Sequence, residues 1–260
     1  MVTGTRAAGV VSWQVDTPGV MVVTLNRPPA NALGLPVLDG LHAALDAAEA
    51  SLKVMIVASA VDGFFAAGAD IRHMSAADAA SFAAYGDRMR AVNDRLAAAP
   101  WISVAAVDGL ALGGGLELAI SCTMRVSGPR ARYGLPEVKL GLIPGAGGTQ
   151  RLPRLIGRGR ALDMMLTGRQ VPAGEALAIG LVDRLADGDV VRAAAALAAE
   201  LMTASLPAQL AVVRAVDAGL GRPLAEGLSV EAAEIQELFT RGEAAEGIRA
   251  FLEKRPADFG

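Results

Sequence analysis

The character of the chain changes near Gly147, and this change constrains the fold more than any other feature of the sequence. Before it, β-rich runs alternate with helical spacing. Residues 10–15 and 20–25 are joined by Asp16-Thr17-Pro18-Gly19, which predicts a hairpin. A helix is predicted over 35–50, a buried strand over 53–58 and a Gly- and Ala-rich loop over 62–70. A long helix over 76–99, ended by Pro100, leads to another strand over 102–107. After the Asp108-Gly109 turn, Gly113-Gly114-Gly115 opens a short helix over 116–122, and residues 123–127 are strand-like. Beyond Gly147, helical spacing dominates over 149–156, 158–166, 174–179, 190–203, 207–219, 223–240 and 243–254, with one short strand at 181–185. Alternation followed by helices alone predicts an α/β core with a helical C-terminal appendage.

A chain of 260 residues is long enough to bury a substantial core. It is 53% hydrophobic but only 4% aromatic, and alanine supplies much of the apolar count. No run of about 18 residues has membrane-spanning character, and the first ten residues carry Arg6 without an apolar segment. A cytoplasmic enzyme is therefore expected, with no membrane partner. The net charge of −3 comes with no basic patch, so nucleic acid is not an expected partner. The densest basic cluster, between Arg151 and Arg160, lies in a helical pattern. It reads as a solvated face, with a phosphate-rich ligand or a subunit contact as the other uses. The single cysteine, Cys122, sits among apolar residues and reads as a small core residue rather than a nucleophile. His42 and His73 have no nearby partners with which to form a zinc site, so no metal is expected.

The most informative segment runs from Leu110 to Ile120, where Glu117 is the only charge among aliphatic residues. Glutamate is rarely buried unless it is paired or used. A helix start leaves N–H groups without partners, and glycine removes the side chain that would keep a ligand from them. Such a start suits a phosphate or a developing oxyanion. Glu117 follows Gly114 by three residues, on the same helical face and leaning back toward those amides. The run is neither a dinucleotide fingerprint, because Leu118 stands where the third glycine belongs, nor a Walker loop, because Gly-Lys-Ser/Thr is missing. Two further segments have loop chemistry. In Phe64 to Ile71 small residues allow close backbone approach, and Asp70 is placed to cap a helix. In Tyr133-Gly134-Leu135-Pro136-Glu137, followed by the glycine-rich stretch 141–149, Glu137 stands beside a proline where exposure is common.

These segments, in this order and at these separations, closely resemble the crotonase family of enoyl-CoA hydratases and isomerases. The likeness runs through nearly the whole chain. It includes Leu25-Asn26-Arg27-Pro28, Asn31-Ala32-Leu33, the loop 65–71, the stretch 105–117, Pro136-Glu137 and residues 145–152. It also includes Gly180-Leu181-Val182-Asp183 and Phe251-Leu252-Glu253-Lys254-Arg255. The resemblance implies a crotonase-like ββα spiral core over residues 1–190 and a helical trimerisation region over 191–260, assembled as a homotrimer or a dimer of trimers. It implies that the substrate is a coenzyme A thioester and that no separate cofactor is needed. The Ala69 and Gly114 amides would form an oxyanion hole, and Ala67, Asp70, Ile71 and Arg72 would line the ligand, with the stretch around Ala30 facing the adenine end.

Hydratases similar to this chain carry two glutamates, at the positions of Glu117 and Glu137. Syn hydration of a 2-enoyl-CoA needs a water held between two carboxyl groups, with Glu137 serving C2 and Glu117 activating the water. A Δ3,Δ2-enoyl-CoA isomerase can work with one carboxylate, so the pair favours a hydratase. A non-catalytic acyl-CoA or RNA-binding protein is the reading from another class. Two departures from the common hydratase pattern are the Pro28-Pro29-Ala30-Asn31 stretch, one residue short, and Asp108 in place of a frequent asparagine.

Overall fold

The computed structural model describes residues 6–259. The expected hairpin forms from β2 (Val11–Thr17) and β3 (Val20–Leu25), with β1 (Arg6–Ala8) along its outer edge. From β3 the sheet continues in parallel through β4 (Val54–Ser59), β6 (Ile102–Val107), β8 (Met124–Ser127) and β11 (Arg184–Leu185), giving the order β1-β2-β3-β4-β6-β8-β11. β4 and β6 are near-continuous apolar runs because both faces of this sheet are covered. On one face Met55, Val57, Ala105 and Val107 meet α1 (Leu35–Asp46) and α3 (Ala79–Ala97). On the other, Val54, Ile56, Val104 and Ala106 meet Ala194, Leu197 and Ala198 of α8 (Val190–Leu201).

A second sheet is made of very short strands: β5 (Phe64–Ala66), β7 (Leu110–Leu112), β9 (Arg132–Gly134) and β10 (Val171–Pro172), in the order β10-β9-β7-β5. A strand of the large sheet, a strand of the small sheet and a helix follow one another in sequence: β4, β5 and α2 (Ile71–Ser75), then β6, β7 and α4 (Gly114–Ala119), then β8, β9 and the 3₁₀ helix Glu137–Leu140. This is the ββα spiral implied by the resemblance.

Several expected boundaries move. The helix expected over 35–50 stops at Asp46. The one expected over 76–99 is preceded by the separate turn α2, because Asp70 and Asp78 cap two helix starts. The short helix after the glycine run ends at Ala119. The strand expected at 181–185 keeps only Arg184 and Leu185. The N–H groups of Leu181 and Val182 donate back to Ala176 O, closing α7 (Ala173–Ala178), and so do not join the sheet.

Between the sheets and the C-terminus lie α5 (Gly148–Ile156) and α6 (Arg158–Thr167). The chain ends in α9 (Leu206–Gly219), α10 (Leu224–Arg241) and α11 (Ala244–Glu253), where α9 and α10 pack on each other and Arg214 pairs with Glu234 at 2.6 Å. Within these three helices only Ala211 and Ala250 are buried, whereas Val212, Leu224, Phe239 and Phe251 are exposed.

Candidate active site

Because β5, β7 and β9 run parallel and side by side, the residues that follow each strand emerge at the same edge of the small sheet. Loop 67–70, the Gly113–Gly114 corner and the 3₁₀ helix carrying Glu137 therefore meet, although the sequence separates them widely. The approach is closest at Gly115, where a Cβ would lie 2.0 Å from the Ala66 carbonyl oxygen. Only glycine lets the start of α4 rest on the end of β5. The amides of Ala69 and Gly114 become neighbours in consequence: a Cβ on Gly114 would stand 3.7 Å from Ala69 N. Gly114 is the first residue of α4, so its N–H has no acceptor within the helix. Among the described residues, neither amide donates to another backbone carbonyl.

Both amides border a cavity of about 580 Å³, and both candidate glutamates line it. Glu117 is only 2% exposed. Its Oε1 accepts from Ala146 N at 2.7 Å and from Gly148 N at 2.8 Å, which leaves Oε2 for the cavity. Burial pushes its proton affinity up, opposed by the two amides and by the Arg151 and Arg90 guanidinium groups. Glu137 is placed differently. Its Oε2 is buried with no hydrogen-bond partner, and its Oε1 is 2.9 Å from where a Cβ on Gly113 would stand. Burial, reinforced by the nearby Glu117, raises its pKa to about 7, opposed only by its own backbone amide. Two carboxyl groups thus share one cavity in unequal settings: burial raises the proton affinity of both, and for Glu137, with one oxygen unpartnered, to a pKa of about 7.

The rest of the wall is largely apolar. Met74 of α2, Phe82, Ala83 and Met89 of α3, and Leu140, Leu142 and Ile143 beyond Glu137 enclose the cavity. Of the residues expected at a ligand site, Ala67, Ala69, Ile71, Gly114, Glu117 and Glu137 line it. Ala30, Asp70 and Arg72 are not part of this wall. Ala30 stands one layer behind, its carbonyl accepting from Ala67 N at 3.0 Å. Asp70 caps α2 and pairs with Arg27 at 2.6 Å, and the Arg27 hydrogen bond holds its carboxyl below the usual carboxylate range. Arg72 is exposed.

The contribution of α3 to the wall was not foreseen in the sequence. Its signal is Gly86, set between Phe82 and Met89-Arg90 on a face where a core helix ordinarily carries bulk. Cys122 is a core residue, fully buried, with its thiol pushed up to about 12 by desolvation. In the basic cluster, Arg151 is engaged with Asp94 at 2.7 Å. Among the described residues, no group of three or more His, Cys, Asp or Glu side chains is placed to hold a metal ion.

A spiral of ββα units that delivers two backbone amides and two carboxyl groups to one apolar cavity is the architecture of an acyl-CoA-processing crotonase. The family model described as enoyl-CoA hydratase/isomerase matches residues 16–260, and the chain belongs to that family. It is 41% identical over 249 residues to a probable enoyl-CoA hydratase of Rhizobium meliloti (strain 1021), covering 94% of this chain and 96% of that protein. It is 38% identical over 249 residues to the mitochondrial methylglutaconyl-CoA hydratase of Mus musculus, covering 93% of this chain and 79% of the relative. Among solved structures, the enoyl-CoA hydratase of Bacillus anthracis superposes with a TM-score of 0.91 at 34% identity, covering 96% of this chain and 98% of that one.

Proposed function

We propose that the protein adds water across the 2,3 double bond of a 2-enoyl-CoA to give the 3-hydroxyacyl-CoA. The observation that carries this reading is the pair of unequal carboxyl groups, Glu117 and Glu137, lining one cavity beside the Ala69 and Gly114 amides. In the proposed reaction those amide N–H groups donate to the thioester carbonyl oxygen and so draw electrons from C3; one such donor is typically worth about 100- to 1,000-fold in rate. Glu117, oriented by Ala146 N and Gly148 N, takes a proton from water as the water oxygen bonds to C3. Glu137 gives its proton to C2 of the enolate, and transfer of the proton from Glu117 to Glu137 restores the starting state. Ala67 and Ile71 border the same space. An isomerase needs only one carboxylate, so the second acid supports hydration over double-bond migration.

Catalytic amounts of the protein are expected to abolish the conjugated-enoyl absorbance of crotonyl-CoA. A change that merely tracks protein concentration sinks the reading in favour of a binding module. The pH dependence follows from the roles. Glu137 acts as the acid, so kcat/KM falls as pH rises through about 7. Glu117 acts as the base, so kcat/KM also falls as pH drops through its pKa. In Glu117→Gln the nearby negative charge is gone, and the residual alkaline limb is expected at lower pH than in the wild type. An alkaline limb at the same pH in both proteins refutes the electrostatic link between the acids.

We further propose that the exposed apolar side chains of the last three helices are covered by other copies of the chain, as a homotrimer or a dimer of trimers. Light scattering is then expected to give three or six times 26.5 kDa, and a monomer mass rejects the assembly.

A further inference from the structure

A side chain outside the reacting pair is joined to Glu117 through a single peptide. Arg90, on α3, donates from Nη1 to the Gly145 carbonyl oxygen at 2.9 Å. That carbonyl belongs to the same peptide unit as the Ala146 N–H, which donates to Glu117 Oε1 at 2.7 Å. A cation at one end of a peptide and a carboxylate at the other polarise it in the same sense, so each hydrogen bond strengthens the other. Asn93, one turn along α3 and buried, donates to the Ala146 carbonyl at 2.9 Å and fixes the same loop without adding charge.

We infer that Arg90 is a positioning residue that keeps Glu117 as the carboxylate, acting through the Gly145–Ala146 peptide instead of touching the reacting atoms. The inference rests on the hydratase reading, in which Glu117 is the base that activates water. Among the described residues, three charged groups act on Glu117: Arg90 from α3, Arg151 from α5 and Glu137 from the 3₁₀ helix. Their own partners are Asp87 for Arg90 and Asp94 for Arg151. Arg151 reaches the loop at a different peptide. Its Nη1 is 3.4 Å from the Ala146 carbonyl oxygen, whose peptide carries the Gly147 N–H and not the amide that binds Glu117. Glu137 acts in the opposite sense by raising the cost of a second negative charge. Arg90 alone combines a positive charge with a direct relay to the Glu117 oxygen.

The test is kcat/KM for crotonyl-CoA against pH in the wild type, Arg90→Gln and Arg90→Lys. In Arg90→Gln the acidic limb is expected to move up by about one pH unit, with a roughly tenfold lower rate on that limb and the alkaline limb of Glu137 nearly unchanged. Arg90→Lys, which keeps the charge, is expected to hold the limb near its wild-type position. A limb that stays put in Arg90→Gln, or one that moves equally in Arg90→Lys, overturns the inference. A wild-type protein that leaves crotonyl-CoA unhydrated refutes the hydratase reading itself, which separates the two failures.

Discussion

Glu137→Gln is expected to slow hydration of crotonyl-CoA by about 100- to 10,000-fold, the usual contribution of a positioned acid or base, while acyl-CoA binding survives. The amide has the shape of the acid but no proton to give to C2. In the wild type the proton is held because one oxygen of Glu137 is buried without a partner and the Glu117 charge lies nearby. Glu117→Gln is expected to cost about as much for the converse reason: a carboxamide can accept from Ala146 N and Gly148 N but cannot take a proton from water. The two losses should not add, because both residues serve a single water. Stopped-flow or steady-state absorbance measures the rate, and calorimetric titration with a saturated acyl-CoA measures the binding. Either variant turning over like the wild type removes the two-carboxyl mechanism.

Gly113→Ala is expected to be nearly as damaging without removing any functional group. Gly113 has φ 52° and ψ −127°, a conformation that strains any residue with a Cβ. Its added Cβ would stand 2.9 Å from Glu137 Oε1 and push on the carboxyl proposed to serve C2. The same backbone step aims the Gly114 amide, so the proposed proton donor and the proposed oxyanion donor shift together. A displacement of about 1 Å at a reacting group commonly costs about 100-fold in rate, and that loss is expected in kcat/KM. Gly159→Ala, in α6 with nothing within 4 Å of the new Cβ, serves as the control and should leave the rate unchanged. Equal rates in the two variants mean that Gly113 does not aim the site.

Strands β2, β3, β4, β6 and β8, the main helices and the switch to helices alone are legible in the sequence, because each is a local pattern of burial, whereas β1 and most of the expected 181–185 strand are not. Glu117, one charge among aliphatic neighbours, declared itself in the same way, as did the helix-capping position of Asp70. The rest depends on partners far away along the chain. The strands of the second sheet are two or three residues long, too short for any periodicity to reveal them, and they exist because the register of β5, β7 and β9 pairs them. That pairing moves Glu137 from an ordinary loop position to the wall of the cavity and sets the Ala69 amide beside that of Gly114. It also hands Glu117 to Ala146, on a loop held by Arg90 and Asn93 of α3, and to Gly148 at the start of α5. Local composition states which groups must be buried; only the packing of remote strands and helices states which groups they meet, and the proton affinities of the two glutamates follow from those meetings.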